Sequence, residues 1–180
     1  PAWRRLALAE LPGPRVLEVG FGTGELLAEV TARYPLAVGL ELSPAMHAVT
    51  ARRMARLGLA PARVRAYAQA MPLAAGCFDG LLSTFPAPYI LEPATLAECA
   101  RVLRPGGKLV IGGLWVRLRR PSVLSLLPVF YADPTPAHVA SITKRVAAAG
   151  FAVTWPVYTM GSAELPLLVA ERLPIPAEAA

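Results

Sequence analysis

Three alternate glycines, Gly20, Gly22 and Gly24, follow an apolar stretch, Val16-Leu17-Glu18-Val19, and Glu41 closes a second apolar run at residues 36–40. Glycine lets backbone N–H groups approach a ligand at the mouth of a helix. An acid at the end of the next strand is placed to accept hydrogen bonds from two vicinal ribose hydroxyls. The pattern therefore implies a nucleoside. A dinucleotide loop reads G-x-G-x-x-G, with its third glycine where a diphosphate meets the helix; here position 25 is Glu25. An acid in the first helical turn opposes a pyrophosphate that the helix dipole would otherwise attract, which disfavours a nicotinamide oxidoreductase. Glu18, two residues before the first glycine, suits a ligand's amino group instead.

The elements that must position these residues alternate along the chain. Strands are expected at 15–19, 37–42, 64–67, 79–84, 109–112, 152–158 and 167–172, and helices at 25–34, 44–58, 94–103 and 137–149. Ser43 caps the second helix and Gly58 stops it. Alternation of this kind predicts an α/β parallel sheet covered on both faces. Between residues 67 and 79 there is too little chain for a full helix, so that crossover is short. A length of 180 residues allows one domain with a substantial core, spanning 1–180, and residues 173–180 read as a loose tail.

With Glu18, Gly20, Gly22, Gly24 and Glu41 in place, the chain resembles the class I S-adenosylmethionine-dependent methyltransferases. Residues 101–111, Arg-Val-Leu-Arg-Pro-Gly-Gly-Lys-Leu-Val-Ile, look like that family's helix, Leu-x-Pro-Gly-Gly turn and fifth strand. Residues 68–79, Ala-Gln-Ala-Met-Pro-Leu-Ala-Ala-Gly-Cys-Phe-Asp, are similar to a stretch of the small-molecule subgroup that includes ubiquinone and menaquinone biosynthetic methyltransferases. The resemblance spans residues 14–112. It implies a Rossmann-like open sheet of seven strands, order 3-2-1-4-5-7-6, with the last strand antiparallel.

It also implies a cofactor site for S-adenosylmethionine, or its product S-adenosylhomocysteine, built from Glu18, Gly20, Phe21, Gly22, Gly24, Glu41, Leu42, Met46, Ala68, Gln69 and Thr84. Gly20 and Gly22 would approach the methionine portion, Glu18 its ammonium and Glu41 the ribose, with Leu42 and Met46 either on the adenine or in the core. Where the family usually has an Asp that binds adenine, this chain has Tyr67, which leaves the Ala68 N–H and the Gln69 amide to take over. Phe85 and Tyr89, in Ser83-Thr84-Phe85-Pro86-Ala87-Pro88-Tyr89, are expected to face the acceptor. That stretch departs from the Asn/Asp-Pro-Pro-Tyr signature of relatives that modify nucleobases. Residues 113–136, which include Phe130 and Tyr131, would form a substrate lid, with Tyr131 facing the acceptor.

No catalytic residue is assigned, because the sulfonium is already activated and alignment with water exclusion can suffice. His47 and His138 read as helix residues and Asp79 as a structural turn residue. No metal site is expected, and Cys77 and Cys99 lack ligand spacing, so both read as structural thiols.

Composition bounds the partners. The chain is 55% hydrophobic and 17% charged, with a mean hydropathy of +0.48, which hints at a greasy pocket or an apolar contact. The longest apolar run, residues 123–132, is broken by Ser125 and Pro128 and is too short to span a bilayer. With no signal-peptide pattern, the expectation is cytoplasmic, either free or in contact with a membrane surface, and the missing initiator Met suggests a trimmed N-terminus. A net charge of +6 and a pI near 9.9 suit nucleic acid, an anionic membrane or simple solubility. Arginines gather at 52, 53 and 56 and at 117, 119 and 120. The leading expectation is methyl transfer to a small or lipophilic acceptor, such as a quinone precursor or lipid head group. An RNA methyltransferase and a non-catalytic S-adenosylmethionine-binding module stand as alternatives, and the oligomeric state is left open.

Overall fold

The computed structural model describes residues 2–115, 117–118, 135–161 and 163–174. Tyr131, most of the expected lid at 113–136 and residues 175–180 of the tail lie outside the described residues.

Five parallel strands form the centre: β1 (Arg15–Val19), β2 (Leu36–Leu40), β3 (Ala62–Val64), β4 (Phe78–Thr84) and β5 (Leu103–Gly112). Further strands are β6 (Arg117–Leu118), β7 (Phe151–Thr154), β8 (Val157–Met160) and β9 (Ala163–Arg172). The order is β3-β2-β1-β4-β5-β9-β6, with β7 and β8 also paired to β9. β9 runs antiparallel to β5, Val110 opposite Val169, and antiparallel to β7 and β8. This is the expected seven-strand order, with the sixth strand divided into β7 and β8 around Trp155 and Pro156, and with β6 added.

Helices α1 (Ala2–Ala9), α2 (Glu25–Arg33), α3 (Pro44–Leu57), α4 (Pro93–Val102) and α5 (Pro136–Ala148) cover the sheet. Their boundaries have local causes. The Ser43 side chain accepts from Met46 N at 3.3 Å at the start of α3, Pro44 occupies the first turn, and Gly58 ends it at φ 65°. Thr135 caps α5 in the same way, accepting from His138 N at 3.2 Å. Central strands carry runs that are buried on both faces, Val16 to Val19 and Phe78 to Ser83 among them, as a parallel core requires. Leu17, Leu81, Leu109 and Leu168 lie at the middle of that core and are fully buried.

Three details differ from the sequence reading. The helix α1 was not anticipated, although its eight residues are strongly amphipathic, because they carry neither an acid in the first turn nor a base in the last to mark its ends. β3 ends at Val64, because its register with β2 stops at Leu40 opposite Val64, and Tyr67 lies beyond the strand and is 62% exposed. β5 begins at Leu103, pairs once with Phe78, and resumes at Lys108 opposite Gly80 after an irregularity that contains the Pro-Gly-Gly turn. Gly107 there has no room for a side chain, since a Cβ would lie 2.9 Å from the backbone oxygens of Arg104 and Asp79.

Asp79 sits at the start of β4, opposite the glycine end of the sheet. Its carboxylate accepts from Arg15 N at 2.8 Å and pairs with Arg104. Asp79 thus lies within β4 and not in the turn that the sequence reading expected.

Candidate cofactor site

The glycine loop leaves β1 and is tied at once to β2, since Gly20 N and Phe21 N both donate to Leu40 O, the former at 2.7 Å. Gly20, Gly22 and Gly24 have φ of 77°, 50° and 74°, the left-handed region that side chains resist. Gly24 also packs against α3: a Cβ there would lie 2.5 Å from Thr50 Cγ2, while Thr50 Oγ1 donates to Gly22 O at 2.8 Å. Gly24 therefore shapes the loop without lining either cavity described below.

Glu41 is held by two backbone amides. Gly22 N donates to Oε2 at 3.1 Å and Ser43 N to Oε1 at 2.9 Å. Both oxygens retain lone pairs, so the carboxylate is oriented without being saturated. The first helical turn of α3 adds His47, whose Nε2 lies 2.9 Å from Glu41 O and whose ring meets Phe21 edge-on. His47 is thus a structural neighbour of the loop.

Two cavities meet at Gly20. One, of about 200 Å³, is lined by Glu41, Leu42, Tyr67, Ala68, Gln69 and Tyr89 together with Gly20, Leu40 and Ala66. The other, of about 270 Å³, is lined by Glu18, Phe21, Gly22, Thr84 and Phe85, and by Trp3 and Arg4 of α1. Leu42 thus lines the cavity and does not join the core. Met46 lines neither, which favours its reading as a half-buried packing residue. Gln69 reaches the cavity, but its amide nitrogen donates to Glu92 Oε2 at 2.8 Å, which leaves its oxygen as the free acceptor.

Phe85 and Tyr89 fall in different compartments. The Tyr89 hydroxyl lies 2.6 Å from where a Cβ on Gly20 would be, so the ring reaches over the loop at the junction of the two cavities. Phe85 follows β4 at φ 46°, with its N–H donating to Gly112 O at 2.8 Å and its ring edge-on to Trp3 at 5.0 Å. A non-glycine residue held there costs about 1–3 kcal/mol, and such strain gathers at sites that need a fixed geometry.

The decisive electrostatic feature is Glu18. It is 2% exposed, and its Oε2 has no hydrogen-bond partner among the described residues. Burial pushes its carboxyl up to about 8. A buried, unsatisfied acid beside a cavity is a poor neighbour for phosphate and a ready partner for a cation. Glu25 contributes less than its position suggested: Arg4 Nη2 and Arg53 Nη2 both pair with it, the latter at 3.3 Å, so much of its charge is compensated.

Trp3, Arg4, Thr23, Leu26 and Ala66 are lining residues that the sequence reading missed. Arg4 is placed by ion pairs to Glu25 and Glu29, across a sequence separation of more than twenty residues that no local pattern reveals. Among the described residues no group of acids, histidines and cysteines could hold a metal ion. Cys99 is fully buried, and burial pushes its thiol to about 12, as expected of a structural residue.

Fold and site together define a Rossmann-like domain with two adjoining cavities at the glycine end of its sheet, one bordered by Glu41 and the other by Glu18. Residues 16–107 match the methyltransferase domain family, and the chain belongs to that family. The resemblance to the S-adenosylmethionine-dependent methyltransferases is thereby borne out. A demethylmenaquinone methyltransferase of Thermus thermophilus is 36% identical over 116 residues, covering 61% of this chain and 52% of that protein. A tRNA (guanine-N(7)-)-methyltransferase of the same organism is 34% identical over 116 residues, covering 55% and 37%. The solved geranyl diphosphate C-methyltransferase of Streptomyces coelicolor, in complex with S-adenosyl-L-homocysteine, shares the fold at 16% identity and a TM-score of 0.71, covering 96% of this chain and 79% of that one. The chain spans about half the length of the quinone-pathway relatives it matches.

Proposed function

We propose that the chain binds S-adenosylmethionine across the two cavities and transfers its methyl group to a small, lipophilic acceptor, with a quinone precursor as the first candidate. The observation that carries this reading is the buried, unpartnered Glu18 carboxylate one cavity away from the amide-held Glu41. A ligand with an ammonium at one end and a ribose diol at the other matches both acids, and its sulfur would lie between them, near Gly20. When bound, the cofactor supplies an electrophilic methyl group on a positively charged sulfur. The protein's share is binding and alignment. Glu18 would accept from the ammonium and Glu41 from the ribose hydroxyls, while Leu42 and Ala68 would border the base, with the Gln69 oxygen as an acceptor for its amino group. Phe85 and Trp3 cover the methionine side with aromatic surface that excludes water and suits a flat, apolar acceptor.

The acceptor class rests on the demethylmenaquinone relative and on the apolar composition of the chain. Among the described residues no helix is long and apolar enough to cross a membrane. Calorimetry with the ligand-free chain tests the cofactor, and release of S-adenosylhomocysteine with a demethylated quinol tests the acceptor. Absence of heat with S-adenosylmethionine removes the whole reading. A second reading, methylation of RNA, is favoured by the tRNA-modifying relative and the net positive charge. Methyl transfer to tRNA, and not to the quinol, would establish it.

A further inference from the structure

Between Glu41 and Asp79 the chain carries five arginines, at 52, 53, 56, 63 and 65, and no lysine, aspartate or glutamate. That stretch holds five of the 18 basic residues and none of the 12 acidic ones, so nearly all of the +6 net charge belongs to it. In the fold it forms one corner, made by α3 and the edge strand β3. α3 buries Thr50 and Met54 and turns Arg52 and Arg56, one helical turn apart, to solvent. Arg63 and Arg65 reach back to the start of α3, donating to His47 O at 3.4 Å and Leu42 O at 3.2 Å. Arg56 Nε donates to Arg52 O at 3.2 Å. These acceptors are neutral carbonyls, so the guanidinium charges stay uncompensated. Of the five, Arg53 alone has a carboxylate partner, Glu25, among the described residues. A large apolar side chain stands out in the same stretch outside the cofactor cavity, since Leu57 at the end of α3 is 55% exposed.

We propose that this corner docks on an anionic lipid bilayer. Arginines held at the surface are drawn to acidic head groups, and the exposed Leu57 beside Arg56 enters the boundary of head group and acyl chain. Single-stranded RNA would need a platform of aromatic residues on which bases stack, and Tyr67 is the one aromatic exposed there. Protection of an edge strand against pairing would account for Arg63 in β3, yet leaves Arg52 and Arg56 on the helix without a role. The inference stands apart from the methyl-transfer reading, since docking requires neither cofactor nor acceptor.

Cosedimentation of the full chain with vesicles of phosphatidylcholine, alone or mixed with phosphatidylglycerol, provides the test. Binding is expected only with phosphatidylglycerol, and added NaCl should weaken it. Each arginine near an anionic surface is worth about fivefold in partitioning, so Arg52→Gln/Arg56→Gln should bind about 25-fold more weakly while melting at the wild-type temperature and binding S-adenosylmethionine unchanged. Equal binding to neutral vesicles, no binding to either vesicle, or a double variant that binds like the wild type overturns the proposal. So does preferential capture by a tRNA fragment that the same substitutions abolish, which would make nucleic acid the polyanion.

Discussion

Replacing Glu18 by glutamine tests the central feature of the site in two independent ways. Burial moves this carboxyl from its ordinary 4.5 to about 8. At ~1.4 kcal/mol per pH unit that displacement corresponds to about 5 kcal/mol. Because the folded value is raised, the native chain holds a proton that the unfolded chain has already released between those two values. Wild-type stability therefore falls as pH rises across that window, and most of the loss has accrued by about pH 8. Glutamine has the shape of the neutral acid and cannot ionise, so the slope should vanish. In urea denaturation the two proteins should be close to equal at about pH 5, and by about pH 9 the variant should be the more stable by up to ~5 kcal/mol.

The same substitution should weaken S-adenosylmethionine binding about 10- to 100-fold, the usual value of a hydrogen bond to a charged partner. Binding by the wild type must first ionise Glu18, so its affinity should rise with pH between about 6 and 7.5, by nearly tenfold per unit, with a proton released. The variant should lack that dependence. Parallel denaturation profiles for the two proteins, or a variant that binds the cofactor as tightly as the wild type, would refute the argument.

Glu41→Ala removes the acceptor of both Gly22 N–H and Ser43 N–H; calorimetry should show S-adenosylmethionine affinity down about 100-fold or more, with stability lower by ~1–3 kcal/mol. Gly20→Ala places a side chain at φ 77° and within 2.6 Å of the Tyr89 hydroxyl, so cofactor binding should fall sharply; adding Tyr89→Ala should relieve the clash but leave the ~1–2 kcal/mol left-handed cost in a melting curve. Asp79→Ala should lower stability by about 1–3 kcal/mol at neutral pH and leave cofactor affinity unchanged, because the residue lies at the opposite end of the sheet. Burial raises the Asp79 carboxyl, but the Arg15 N–H and the Arg104 guanidinium more than offset this and hold it below the ordinary 3.8. The wild-type advantage should therefore be present above that value and shrink as pH falls through the folded value, as acid denaturation of both proteins would show.

The elements and the loop were legible because parallel α/β folds write their core in local patterns, whereas the strand order came from the family resemblance. Apolar runs such as 16–19 and 78–82, the cap at Ser43 and the Pro-Gly-Gly turn each declare an element within a few residues. The helical pattern of α1 is present in the sequence, but its place in the site is not. Its role comes from Trp3 against Phe85 and Arg4 against Glu25 and Glu29, contacts made across the fold. Tyr67 was read as the end of a strand because its neighbours are apolar, whereas β3 stops where its partner strand stops.

By itself the sequence pointed to the kind of ligand, since glycines at 20, 22 and 24 with acids at 18 and 41 are spaced so that backbone and carboxylates can converge on one small molecule, and the family match supports that reading. Tertiary structure decided which acid matters most and where the charge lies. Whether a carboxylate is buried without a partner, as Glu18 is, or neutralised, as Glu25 is, depends on side chains brought together from distant parts of the chain. For the same reason the arginines at 52, 56, 63 and 65 become one charged corner only in the fold, where a helix and an edge strand hold them together without carboxylate partners.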